Sequence, residues 1–274
     1  MYNAKILLDS VTTAGERLVT LEATYPRFVH SELMTHRVFS RNAASSRAIP
    51  IEKQIQRVMD DPVTPVWWGK NQSGMQARKE LTGFDRETAE KDWLTARNYA
   101  VGIAHALLGD GLHKQLTSRI LEPWMWITTI ITATEWQNFF TLRCHPDAQP
   151  ELRHVAEMMR EAYENSTPQL LQDGEWHLPL VTNYDESHLR ADNCPTMDLV
   201  RISTGRCCRV SYLTHEGKRD PNKDIALHDQ EASRAHWSPF EHQAQAHAGM
   251  PACGNFTGGF LQYRKTFEGE DGRG

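Results

Sequence analysis

Apolar and polar residues alternate in AKILLDSV (residues 4–11) and RLVTLEATY (17–25), and the turn-like TTAGE between them predicts a β-hairpin. From Pro26 the period lengthens. Phe28, Val29, Leu33, Met34 and Val38 recur at helical spacing, which places the arginine-rich stretch that follows at the end of a helix or in the loop after it. Residues 60–83 mix proline, glycine and two adjacent tryptophans and read as an ordered loop or lid. Asp85, a plausible N-cap, opens a helix with a stripe of Trp93, Ala96, Ala100, Ile103 and Leu107, ended by Gly109 and Gly111. A second helix is predicted from about 113 to 121, broken by Pro123, and a third from about 124 to 143. A fourth follows Pro150, with Leu152, Val155, Met159, Ala162 and Tyr163 on one face. Residues 85–170 thus read as a helical middle. After Pro168 the chain turns polar and irregular. DLVRISTGRCCRVSYL (198–213) reads as a short helix or strand leading into another strand, KDIALHDQEASRAH (223–236) as the last helix, and the tail FEGEDGRG (267–274) as disordered.

Composition narrows the class. A chain of 274 residues can bury a large core, and we expect one main domain with helical elaborations. A formal charge of −5 with no lysine-rich run argues against a protein for polymeric nucleic acid. No apolar run reaches membrane-span length and the N-terminus lacks a signal-peptide pattern, so a cytoplasmic protein is expected. The cysteines (Cys144, Cys194, Cys207, Cys208, Cys253) are odd in number and show no C-x-x-C, which points to free thiols rather than to disulfides or zinc. His236, His242 and His247 have no spacing diagnostic of a metal, and none is expected.

Against that mildly acidic background, THRVFSRNAASSRAIP (residues 35–50) concentrates three arginines, a histidine, four hydroxyls and an asparagine. Arginine forks with hydroxyl and backbone donors suit phosphate oxygens and heterocycle edges; a solvated charged turn is the plain alternative.

The segment resembles the motif R-H-R-x-x-S-x-N-E-x-S-x-R of the flavin-dependent thymidylate synthase (ThyX) family. His36, Arg37, Ser40, Asn42, Ser45 and Arg47 match, while Thr35 replaces an arginine and Ala43 a glutamate. EWQNFFTLRCHPDAQPELRHVAEMM is similar to the family's N-F-x-x-L-R and A-Q-x-E-I-R segment through Asn138, Arg143, Gln149, Glu151 and Arg153. SRILEP resembles A-R-x-x-L-P through Arg119 and Pro123. Near the C-terminus, HWSPFEH (236–242) resembles H-x-[ST]-P-F-E-H, and GRCCRVSY resembles A-A-R-V-S-Y with Ser211 on its serine. In the family both precede the arginine motif, so the resemblance implies a circular permutation with neighbouring termini.

The resemblance implies an α+β fold, a twisted antiparallel sheet packed with long helices, in a homotetramer whose sites form between subunits. It implies FAD as cofactor, bound without a Rossmann G-x-G-x-x-G, with NADPH and methylenetetrahydrofolate as co-substrates. The implied reaction is one-carbon transfer to C5 of a pyrimidine deoxynucleotide, dUMP to dTMP. Carried over by position, Arg143 is the catalytic residue, facing the pyrimidine and stabilising its anionic form; the alternative is a helix C-terminal arginine satisfying carbonyls. Glu32, where the family has a glutamine, Thr35, Ser45, Ser46, Arg47 and Arg119 are the implied substrate contacts. His36, Arg37, Asn42, Thr132, Thr134, Asn138, Ser211 and His242 are the implied flavin contacts. Cys144 beside Arg143 is a possible nucleophile by charge, but the family is thought to need none. Trp67, Trp68, Trp124, Trp126 and Trp136 read as core or interface, with one free to stack on a flavin or pterin ring. The departures at Glu32, Thr35 and Ala43 cluster where base and flavin meet. They keep a dUMP/dCMP hydroxymethylase or dCMP methylase open, beside a non-catalytic nucleotide-binding protein.

Overall fold

Alternation in the first hairpin carries through to the centre of the molecule, which a computed structural model describes over residues 1–183, 185, 196–210 and 220–270. β1 (Asn3–Thr12) and β2 (Arg17–Pro26) pair antiparallel across the turn at Gly15, whose φ of +92° suits a residue without a Cβ. β2 pairs on its other side with β4 (Trp126–Ala133), and β4 with β3 (Ser40–Ala43). β5 (Gln169–Leu171) joins β1 in parallel, giving the order β3-β4-β2-β1-β5. The sheet is therefore mostly antiparallel with one parallel edge.

One face of this sheet is apolar. Val19, Leu21, Ala23 and Tyr25 of β2 and Ile127 and Ile131 of β4 pack on Leu152, Val155, Ala156 and Met159 of α6 (Pro150–Glu164). The predicted i, i+3, i+7 stripe is thus the buried face, each such side chain contributing about 1.5–3 kcal/mol. α5 (Gln137–Arg143) closes the same layer with Phe139 and Phe140 against Phe39 and Trp136. The opposite face sets polar side chains beside the buried apolar Leu18 and Ile130. Ser10, Thr20, Ser40 and Thr132 point into a C-terminal layer built from α7 (Thr196–Cys208), α8 (Pro221–Ser233) and a small sheet of β6 (Trp176–His177), β7 (Ala244–Ala246) and β8 (Phe260–Gln262). A third cluster joins α2 (Ile51–Asp60), α3 (Gly83–Gly109) and the 3-10 turn Ser118–Trp124 through Ile51, Ile55, Val101, Ala104 and Leu121.

Five expectations change. The helix expected from 124 to 143 is the strand β4 followed by the short α5. Ile127, Thr128, Thr129, Ile130, Ile131 and Thr132 are β-branched, and a central strand buried on both faces shows no alternation, so its apolar run imitates a buried helix. The helix expected over 28–38 is one turn, α1 (His30–Leu33), after the 3-10 turn Arg27–Val29; the arginine motif then supplies β3. α3 buries Val101 and Ala104, whereas Ala96 and Ile103 of the expected stripe are exposed, and its N-cap is Thr82, not Asp85. The tail is ordered to Glu270: Phe267 packs on Phe240 and Arg264 pairs with Glu270 at 2.6 Å. The 3-10 turn Ser118–Trp124 contains Pro123 and follows the one-turn α4 (Lys114–Thr117), in place of a continuous second helix.

Candidate active site

Arg143 ends α5, and the aromatic packing of Phe139 and Phe140 fixes where its side chain emerges. Its guanidinium reaches across to the turn after α1. Nε donates to His36 Nε2 at 2.9 Å, Nη1 to Glu32 Oε2 at 3.2 Å, and Nη2 to Thr35 Oγ1 at 3.1 Å and to the Glu32 carbonyl at 3.3 Å. Glu32, Thr35, His36 and Arg143, four of the residues singled out from the sequence, are therefore one constellation. Its turn is held from below by Arg41, whose Nη1 donates to the carbonyls of Met34 (2.8 Å) and His36 (3.2 Å). Thr35 Oγ1 also donates to the Glu32 carbonyl at 2.7 Å.

His36 is buried, edge-on to Phe139 with 4.9 Å between ring centroids. Burial first, then the charges of Arg143 and Arg41, hold its pKa down at about 4. The ring is neutral at physiological pH, and Nε2 acts as the acceptor that orients the Arg143 fork. The plain reading of Arg143, a C-terminal arginine capping the carbonyls of its own helix, describes none of these four bonds, all of which go to a segment more than a hundred residues away. Cys144 is half-buried, and desolvation raises its thiol pKa, the opposite of the lowering that activates a nucleophilic cysteine.

Arg143 and Glu32 open onto a cleft of about 560 Å³. The opposite wall is the loop over residues 61–82, including Trp67, Gly69, Gln76 and Ala77. The loop is ordered by its own bonds: Lys70 N donates to the Lys79 carbonyl at 2.7 Å, Leu81 N to the Trp68 carbonyl at 2.8 Å, and Trp67 Nε1 to the Ala77 carbonyl at 3.1 Å. A Cβ on Gly69 would lie 2.2 Å from that of Ala77, so only glycine allows the two limbs to close. Val66 N donates to buried Glu151 at 3.0 Å, and Arg78 pairs with Asp147 at 2.7 Å, fastening the loop to the α5–α6 connection.

The other predicted residues lie elsewhere in the protomer. Buried Ser46 lines a second cavity of about 350 Å³ with Arg27, Gln54 and Arg57, and its carbonyl accepts from Gln54 Nε2 at 2.6 Å. Arg119 shares Glu122 with Arg27 at the rim of that region, at 2.7 and 2.8 Å. Ser45, Arg37, Arg47 and Asn138 are exposed, and neither Arg37 nor Arg47 has a side-chain partner among the described residues. Asn42 donates to the Cys207 carbonyl and accepts from Ser238, tying β3 to α7. Thr134 accepts from the Thr257 amide at 3.0 Å. Thr132 and His242 are fully enclosed on the face of the sheet toward the C-terminal layer, bonded to each other at 2.8 Å, and Thr20 links them to His177 (2.7 and 2.8 Å) and through it to Ser10. Burial lowers both histidines to about 3, so both are neutral. His242 thus sits behind the sheet while Arg143 and His36 sit in front. Ser211 and Gly274, the latter needed to compare the termini, are outside the described residues.

Sequence reasoning passed over Arg27 and Arg57, which share the second cavity, and His177. None lies in a local pattern, and only the closure of the sheet and of α2 places them.

The family model described as thymidylate synthase complementing protein matches residues 16–169. The chain belongs to that family. The matched range holds Glu32, Thr35, His36, Ser46, Arg119 and Arg143, and the C-terminal layer with His242 follows it. Two crystal structures of a UMP/dUMP methylase PolB from Streptomyces cacaoi are similar to the chain at 18% identity. The one bound with 5-Br dUMP covers 60% of this chain and 90% of its own, with a TM-score of 0.46; the one bound with 5-Br UMP covers 60% and 88%, with a TM-score of 0.45. No curated protein matches the sequence significantly. Among the described residues no helix is long and apolar enough to cross a membrane.

Proposed function

We propose that this protein transfers a one-carbon unit from methylenetetrahydrofolate to C5 of a pyrimidine deoxynucleotide, the conversion of dUMP to dTMP being the form that the family resemblance implies. The observation that carries the proposal is the convergence of Arg143 with Glu32, Thr35 and His36 at an open cleft, inside the range that matches the family. A cation fixed by three side chains costs no reorganisation when negative charge develops on a ring beside it. Neutral His36 sets its orientation, and the packed aromatic layer beneath excludes water from one side.

Of the implied flavin contacts, Arg37 and Asn138 are exposed and free to meet FAD, Arg37 with guanidinium donors that have no side-chain partner among the described residues and suit phosphate oxygens; Arg47, an implied nucleotide contact, offers the same donor chemistry, whereas Thr132 and His242 are enclosed behind the sheet. When bound, the flavin supplies the hydride for the reaction and NADPH restores it. Because Arg37, Ser45, Arg47 and Asn138 face outward, they can complete the site of a neighbouring copy, which is the role a homotetramer with shared sites gives them. His242 and Thr132 act in this reading by bracing the sheet from behind.

The test is direct. The purified protein, supplied with FAD, is incubated with dUMP or dCMP, NADPH and isotopically labelled methylenetetrahydrofolate, and the nucleotides are weighed by mass spectrometry. Flavin absorbance in the protein fraction and a labelled one-carbon mass gain on a nucleotide are expected. No flavin uptake and no mass change on either nucleotide would leave a non-catalytic nucleotide-binding protein.

A further inference from the structure

Trp67, Trp68, Trp124, Trp126 and Trp136 all qualify by sequence as stacking residues, and the structure separates them. Four have rings already engaged with other aromatic rings: Trp136 stacks on Phe140 with 5.8 Å between centroids, Trp68 and Trp124 meet Trp93 at 6.5 and 5.6 Å, and Trp126 meets Tyr2 edge-on at 4.9 Å. Trp67 has no ring partner among the described residues and is 39% exposed.

Exposure alone would carry nothing, since single apolar side chains at a surface are common. Trp67 is also held in place. Its Nε1 donates to the Ala77 carbonyl at 3.1 Å, and a Cβ on Gly69 would lie 3.4 Å from its Cδ1 and Nε1, so the edge of the five-membered ring is committed to the loop. The loop itself is fastened by the Val66 N bond to Glu151 and by the Arg78–Asp147 pair. Trp67 therefore lines the cleft, on the wall facing Arg143 and Glu32, with an indole that is already immobile.

The two walls are complementary. Arg143 and Glu32 offer a donor and an acceptor, which engage the edge of a heterocycle and fix it within its own plane. Hydrogen bonds at an edge leave both faces of the ring unsupported. An indole supplies dispersion and burial on one face, at little ordering cost because it is fixed before the ligand arrives. Its area matches a single pyrimidine ring, whereas the three fused rings of a flavin would overhang it. Resting on the one-carbon-transfer reading of this site, we infer that Trp67 is the stacking residue for the pyrimidine ring that Arg143 engages. Every base has a π-face, so the contact adds affinity without choosing between uracil and cytosine.

Isothermal titration of the FAD-supplemented protein with dUMP, with dCMP and with 2-deoxyribose 5-phosphate, which lacks the base, reads the contact without turnover. Trp67→Ala is expected to weaken each nucleotide that wild type binds by about 5- to 100-fold, and to leave the baseless sugar phosphate unchanged. Trp67→Phe keeps an aromatic face and loses the Nε1 bond, and is expected to stay within about 3-fold of wild type. An equal loss in both variants would mean that the indole serves only to hold the loop, and overturns the inference. If Trp67→Ala does not fold, transferred NOEs between the pyrimidine H5 or H6 and an indole, present in wild type and lost in Trp67→Phe, carry the test, and their absence from wild type overturns the inference. Unchanged nucleotide affinity in Trp67→Ala also overturns it and leaves the proposed reaction standing; weakened FAD uptake in its place would assign the indole to the flavin. Binding of neither dUMP nor dCMP by wild type overturns both.

Discussion

Arg206, the last basic residue of α7, has 1% of its side chain exposed and stands between two equally buried carboxylates. Its Nη1 and Nη2 fork onto Asp185 at 2.6 and 2.7 Å, its Nε donates to Asp224 at 2.9 Å, and Nη1 also donates to the Leu180 carbonyl at 2.8 Å. Arg206→Met keeps the length and apolar stem and removes every one of these donors. It strands two carboxylates in the C-terminal layer, although Arg209 still reaches Asp224 at 3.2 Å. Breaking a buried pair from one side costs about 3–5 kcal/mol, because the surviving charges stay desolvated. For a chain of this size that is a fall in Tm of roughly 6–20 °C. Scanning calorimetry at pH 7 measures it, and adding Asp185→Asn and Asp224→Asn to Arg206→Met is expected to recover much of the loss by removing the stranded charge. A Tm within about 2 °C of wild type for Arg206→Met would refute the reasoning, since it would mean that the triad makes no net contribution. The same variant reaches the site indirectly, because the neighbouring Cys207 carbonyl takes the Asn42 bond that ties down β3.

The acid limb carries a second signature. Burial opposes ionisation of Asp185, but the Arg206 fork and the Thr182 hydroxyl and amide outweigh it and hold the carboxyl at about 2. A depressed carboxyl adds stability above its unfolded value, about 3.9, and that stability is lost as pH falls toward about 2; burial raises Asp224, whose contribution runs the opposite way. Wild type is expected to lose Tm more steeply than Arg206→Met below about pH 4, and parallel curves would count against the assignment. His36, held at about 4 by burial and two arginines, binds fewer protons folded than unfolded, so its contribution is complete above its unfolded value and declines as pH falls through about 6.5; its ring resonances are expected not to titrate between pH 6 and 8, and a midpoint there would contradict the neutral-acceptor role. Arg143→Lys keeps the charge and loses the fork, and is expected to lower kcat by about 100- to 1000-fold with a Tm close to wild type; an active lysine variant would remove Arg143 from the chemistry. Gly205→Ala places a Cβ 2.1 Å from the Asp224 carbonyl oxygen where α7 crosses α8, and is expected to cost about 1–3 kcal/mol in urea unfolding; no change would mean the helices can separate freely.

Sequence periodicity alone fixed the first hairpin, the buried stripe of α6 and the last helix, because each reports bonds made between near neighbours and a single apolar face. The family motif likewise identified Glu32, Thr35, His36 and Arg143 as residues of interest. It did not reveal that Glu32 occupies Arg143, because the bond joins side chains from segments whose separation only the packing of α5 on Phe39 and Trp136 removes. Nor did it reveal β4, whose burial on two faces erases the alternation that marks a strand. The polar relay from Ser10 to His242 and the Arg206 triad belong to the tertiary structure for the same reason. A buried donor must find its acceptor wherever the chain brings one, and sequence distance does not enter that requirement.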